Sequence, residues 1–253
     1  MIALFDSGNS RLHFACWDGE TVRNPLHVPY PETIDLLPAM IRRLLSSIPD
    51  PERIAACSVS TLYREPLFRI LHSQAPGKLV TALTTADLDL RVVYDRPEQY
   101  GIDRALAALR AWRLFQKSCV VIDAGTAITV DAIDHDGTVR GGYIFPGADA
   151  MAHALASQTG LPMVSPDMQC RDPGNSTQSC IACGIAGGMA GAVDVLFAKA
   201  SVTVGSGDRV VITGGGGEKL LPLLSFQAEY RPNLVLEGLG LASANLPPYL
   251  YEV

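Results

Sequence analysis

Residues 120–131 read VVIDAGTAITVD, a stretch that brings a strand, a carboxylate, a glycine turn and two hydroxyls together. Val120, Val121 and Ile122 are β-branched and apolar, which predicts a buried strand. Asp123 ends that run. Gly125 lets the backbone turn sharply, Thr126 and Thr129 present hydroxyls, and a second β-rich segment over 128–133 carries Asp131. The reading is a hairpin with polar atoms at its bend. A glycine there lets a bulky anion approach main-chain N–H groups, and the adjacent carboxylate can hold a hydrated magnesium ion. Phosphate chemistry is one interpretation; an ordinary hairpin whose Asp and Gly serve turn chemistry alone is the other.

A second copy of the pattern favours the first interpretation. Residues 1–5 (MIALF) form an apolar run that stops at Asp6-Ser7-Gly8-Asn9-Ser10, and 11–17 (RLHFACW) alternates like a returning strand. Asp6 and Asp123 lie 117 positions apart. The repeat points to a duplicated domain, 1–116 and 117–253, each half opening with a hairpin whose bend faces the same cleft.

The bulk properties narrow the class. The 253 residues suffice for two ordinary domains, and 48% hydrophobic with 18% charged residues is a globular composition. The net charge of −6 and the lack of a Lys/Arg run disfavour nucleic acid as a partner. Six cysteines, at 16, 57, 119, 170, 180 and 183, are scattered in apolar surroundings and read as reduced thiols. Cys180 and Cys183 form a lone CxxC, a weak metal signal. No run of 18 uninterrupted apolar residues and no basic leader occurs, so no membrane is expected and a cytoplasmic location is.

Between the hairpins, strand and helix alternate in the manner of an α/β layer. Helices are expected over 31–48, 62–73, 105–116, 148–158, 180–200 and 233–244, and strands over 54–59, 78–83 and 209–213, with a loop over 162–175. Gly184, Gly187, Gly188 and Gly191 read as a packed small-residue face of the 180–200 helix. Asp103 and Arg104 open the 105–116 helix: a first-turn carboxylate beside a solvated Arg, or an acid/base pair at a substrate hydroxyl. His153, on the 148–158 helix, is a lone histidine. The strand-glycine-helix step at Gly214–Gly217 lacks the ending of a P-loop.

The two Asp-Gly-hydroxyl hairpins within alternating α/β elements resemble the actin, sugar kinase and Hsp70 ATPase superfamily. Asp6-Ser7-Gly8-Asn9-Ser10, Gly101-Ile102-Asp103-Arg104, 123–131 (DAGTAITVD), 141–147 (GGYIFPG) and 234–239 (LVLEGL) together resemble the type III pantothenate kinases, in the family's order and over nearly the whole chain. The resemblance implies two duplicated actin-like (ribonuclease H-like) lobes with mixed sheets flanked by helices, and ATP between them. It also implies transfer of phosphate from ATP to pantothenate, the first step of coenzyme A synthesis, in a homodimer.

Carried over by position, Asp6, Gly8, Asn9, Ser10 and Arg11 belong to the first phosphate loop, with Asp6 holding magnesium through water. Gly125, Thr126 and Thr129 belong to the second, with Asp123 at a monovalent cation, K⁺ or NH₄⁺. Tyr94, Gly101, Asp103, Arg104 and Thr177 match substrate-binding positions, Asp103 as general base. His153 is placed near that pocket. Ser10 stands where Thr is usual and keeps the hydroxyl; Ile102 replaces a usual Ala and narrows the expected pocket. Some relatives have been described as accessory regulators of transcription, so a catalytically weak nucleotide-binding regulatory protein of the same fold is the alternative.

Overall fold

The computed structural model describes residues 1–88, 90–166, 173–205 and 209–249. The chain forms two compact units, Met1–Arg113 with Asn233–Val253, and Leu114–Pro232.

In the first unit, β1 (Ile2–Ser7), β2 (Arg11–Trp17) and β3 (Val22–Pro29) make an antiparallel meander, and β4 (Arg53–Ser58) and β5 (Leu79–Ala82) add in parallel, in the order β3-β2-β1-β4-β5. Two helices, α1 (Leu37–Leu45) and α2 (Arg64–Gln74), supply the crossovers that parallel strands require. Phe5, Phe14, Leu37, Ile41, Leu67 and Phe68 are buried together at their junction. The helix expected over 31–48 is shorter: a 3-10 turn at Ile34–Leu36 precedes it, and Pro38 stands in its first turn. The unexpected strand is β3, whose sequence VRNPLHVP is almost wholly exposed and contains Pro25, tolerated because it forms a sheet edge. The helix α3 (Ile102–Phe115) lies almost wholly in this unit, which ends at Arg113.

The second unit repeats the plan. An antiparallel meander of β6 (Cys119–Ala124), β7 (Ala127–Ile133) and β8 (Val139–Pro146) is extended in parallel by β9 (Val210–Thr213) and β10 (Glu229–Tyr230), in the order β8-β7-β6-β9-β10. The order is that of the first sheet strand for strand. Gly147 opens α4 (Ala148–Gln158); α5 (Thr177–Thr203) starts at a capping box in which Ser176 and Ser179 satisfy each other's N–H groups; α6 (Gly217–Leu220) is a single turn. By length and composition α5 could cross a membrane, yet Ala186, Met189, Ala190 and Val193 are buried with β6, β7 and β9 residues. Its glycines are not packed: at Gly184, Gly187, Gly188 and Gly191 a Cβ would meet nothing within 4 Å. The expected loop over 162–175 lies partly outside the described residues.

Two further expectations are corrected. Residues 233–253 were assigned to the second half, but α7 (Leu234–Ala242) joins the first unit. Glu237 accepts from Arg110 Nε at 2.6 Å, Gly238 lies against the Leu106 backbone and Gly240 against the Trp17 ring. Neither glycine position leaves room for a side chain, and this close packing keeps the tail in place. Second, Cys183 is disulfide-bonded rather than reduced; Cys170 lies outside the described residues. Cys16, Cys57 and Cys119 are buried free thiols, and Cys180 is exposed.

Candidate active site

In the first unit the site begins where β1 ends. Asp6 is the fifth residue of the strand, opposite His13 on β2 and Cys57 on β4. It is only 7% exposed, and Cys57 Sγ donates to its Oδ1 at 3.4 Å. Burial first, and the charge of Asp103 second, push the Asp6 carboxyl up to about 7. Two carboxylates thus sit within electrostatic reach of each other in one unit. The loop beyond Asp6 is closed by the Gly8 N–H donating to the Arg11 carbonyl at 3.1 Å, with Asn9, Ser10 and Arg11 exposed.

Asp103 lies in the first turn of α3, its Oδ1 accepting from the Arg104 N–H at 2.8 Å. A Cβ at Gly101 would stand 2.6 Å from that oxygen, so glycine is what lets the carboxylate fold back there. Arg104 is 7% exposed, not solvated. Its Nη1 donates to the Tyr94 hydroxyl at 3.2 Å, and its guanidinium lies 4.5 Å from the centre of the Tyr100 ring. Tyr94 and Tyr100 meet edge to face at 5.2 Å. The structure therefore brings Tyr94, Gly101, Asp103 and Arg104 together. It adds Tyr100, which the sequence shows only as the aromatic residue before Gly101, and Cys57, whose approach to Asp6 depends on strand register.

In the second unit Asp123 occupies the same fifth position of β6, opposite Thr129 on β7 and Thr213 on β9. The Gly125 N–H donates to the Ala127 carbonyl at 3.0 Å, and the Gly147 N–H to the Thr126 carbonyl at 3.0 Å. Gly214 has φ +83° and presses on the Asp123 carboxylate and the Ala124 carbonyl, so a side chain there would collide with both. The buried Thr129 Oγ1 has no hydrogen-bond partner. A buried hydroxyl without a partner, paired across the β6–β7 ladder with a carboxylate, offers oxygen donors of the kind a hard cation takes. In unit one, the two carboxylates likewise suit magnesium. Thr177 stands exposed in the first turn of α5, and His153 is exposed on α4. Among the described residues no group of three or more His, Cys, Asp and Glu forms a metal cluster.

Comparison with known proteins agrees with this geometry. The sequence profile of the family "Type III pantothenate kinase" matches residues 2–199. A type III pantothenate kinase of Alkalilimnicola ehrlichii is 35% identical over 247 residues, covering 94% of this chain and 95% of that protein. Among solved structures, a Campylobacter jejuni protein provisionally described as a Baf family transcriptional activator superposes with a TM-score of 0.59 at 20% identity, covering 96% of this chain and 97% of that one. A ROK family glucokinase from Streptomyces griseus, solved with glucose and AMPPNP, gives 0.55 at 11% identity, over 93% and 96%. The structural likenesses show the fold: two duplicated actin-like α/β lobes with mixed sheets flanked by helices. From the profile match and the near full-length similarity, the chain belongs to the type III pantothenate kinase family.

Proposed function

We propose that the residues of both units divide the work of phosphorylating pantothenate with ATP as follows. Asp103 is the general base: it accepts the proton of the substrate's primary hydroxyl as the phosphoryl group transfers. In a loose transition state that proton leaves late, so position matters more than base strength. Arg104, held by Tyr94 and stacked on Tyr100, pairs its fork of N–H donors with the substrate carboxylate. Thr177 is a further substrate contact.

The Gly8, Asn9, Ser10 and Arg11 loop and the Gly125, Thr126 and Thr129 loop hold the phosphates. Asp6 holds magnesium through water, and Asp123 with Thr129 holds K⁺ or NH₄⁺. When bound, these cations neutralise the charge that spreads over the transferring phosphoryl oxygens. The observation that carries the reading is the first turn of α3, where the Asp103 carboxylate folds back over Gly101 beside an Arg104 held by Tyr94 and Tyr100.

Measuring ADP release with and without pantothenate tests the assignment. Release should depend on pantothenate and rise when potassium replaces sodium; release indifferent to pantothenate would sink the kinase reading in favour of a regulatory protein of this fold.

The homodimer and the cytoplasmic location belong to the same proposal. Support for a dimer comes from α5, where the open glycines continue along one helix to Val195, 55% exposed, and Val202, 82% exposed. Sedimentation as a fully active monomer at micromolar concentration would overturn the dimer.

A further inference from the structure

The first phosphate loop is held from beneath by a relay of hydroxyls outside the residues described so far. The Tyr30 hydroxyl donates to the Gly8 carbonyl at 3.0 Å and lies 2.7 Å from Ser7 Oγ. Ser58 Oγ donates to Ser7 Oγ at 3.0 Å, and the Ser60 N–H donates to Ser58 Oγ at 3.2 Å. A phenol has a single proton, and here it goes to Gly8. Ser7 then donates to Tyr30, and Ser58, whose one proton has Ser7 Oγ at 3.0 Å, the Ser7 carbonyl at 3.3 Å and the Ser60 carbonyl at 3.4 Å within reach, backs Ser7 from the next strand. Ser7 and Ser58 are fully buried, so water does not compete for these bonds.

The Tyr30 ring is itself fixed. It stacks on Tyr63 with centres 3.6 Å apart and planes 5° apart, and the Tyr63 N–H donates to Ser60 Oγ at 3.2 Å. Burial pushes the Tyr30 phenol up to about 12, so it remains a donor at neutral pH.

A trans peptide is planar, with its C=O and N–H pointing in opposite directions. Holding the Gly8 carbonyl on Tyr30 therefore directs the Asn9 N–H away from Tyr30. The Gly8 N–H is taken by Arg11, so the loop is tied on both sides of Gly8. We infer that Tyr30 is a positioning residue for nucleotide binding: through Gly8 and Ser7 it presets the Asn9 amide toward the phosphates of ATP. This rests on the assignment of residues 6–11 as a phosphate loop.

The test is Tyr30→Phe, which keeps the stack on Tyr63 and removes only the hydroxyl. Loss of the bond that holds the Gly8 carbonyl predicts a rise in KM for ATP of about 5–10-fold. KM for pantothenate should stay within about twofold and the melting temperature close to the parent's, a split that general loosening would not produce. Ser7→Ala, which breaks the relay one step earlier, should give a smaller rise of the same kind, and serves if Tyr30→Phe folds poorly. Asp6→Asn is the control for the underlying reading. If Asp6→Asn is inactive while both relay variants keep the parent KM for ATP, the inference fails and the phosphate loop stands. If Asp6→Asn retains full activity, loop and inference fall together.

Discussion

Asp6 and Asp123 hold the same position in two sheets of the same strand order, yet their neighbours differ in kind. Across the antiparallel ladder Asp6 faces His13 and Asp123 faces Thr129; across the parallel ladder Asp6 faces Cys57 and Asp123 faces Thr213. Asp6 is buried and its carboxyl is pushed up to about 7, whereas Asp123 is half-buried beside a hydroxyl without a partner. One step past the parallel partner, unit one places Ser58, a link in a hydroxyl relay, and unit two places Gly214 at φ +83°. Duplication supplied two carboxylates in equivalent places, and the residues in the adjacent strands separate their chemistry. A buried carboxylate near a second one is held up in pKa, while the half-buried one lies beside a hydroxyl, and the proposed division of cations between them rests on this difference.

The sharpest way to break this contrast is to remove the group that exists in only one unit. Asp103→Asn should lower kcat by about 10²–10⁴-fold with little change in melting temperature. Full retention of activity would remove Asp103 from the role of base.

Asp6→Asn should follow, with a loss of about 10²–10³-fold. Its effect on stability has the opposite sign. The folded carboxyl titrates near 7 against an ordinary value of 3.8, so ionising it disfavours the folded state. That penalty is complete above pH 7 and absent below about pH 4. In metal-free buffer Asp6→Asn should thus be more stable than the parent at pH 8, on the order of 1 kcal/mol or more, and gain nothing at pH 4. Denaturant melts at the two pH values measure this; an unstabilised variant at pH 8 would mean that the burial of Asp6 carries no such penalty.

The smallest expected effect is in the second unit. Thr129→Val removes a buried hydroxyl that has no partner, so it should not destabilise the protein, but the advantage of potassium over sodium should shrink several-fold. An unchanged potassium response would detach Thr129 from the cation.

Much of the fold was legible because it is written locally. Apolar runs ended by Asp marked β1 and β6, alternation marked β2, β-rich composition after the glycine turn marked β7, helical spacing marked α1, and alanine and leucine content marked α3. What escaped was set by neighbours distant in the chain. The edge strand β3 has no apolar face to reveal it, and α7 looks the same whichever unit receives it. For the candidate site, motif order put forward Asp6, Asp103, Arg104 and Asp123, which remain the residues of the proposal. Arg104 was open to being a solvated residue, and only its seating between Tyr94 and Tyr100 shows otherwise.

The amino-acid order therefore determined the two hairpins, their repeat and the positions of the carboxylates, because side-chain period and turn chemistry act over a few residues. Tertiary structure decided the rest: that residues 233–249 belong to the first unit, that Cys57 meets Asp6, and that Tyr30 reaches Gly8 across 22 positions. Those contacts depend on strand register and close packing between distant segments, which no local pattern encodes.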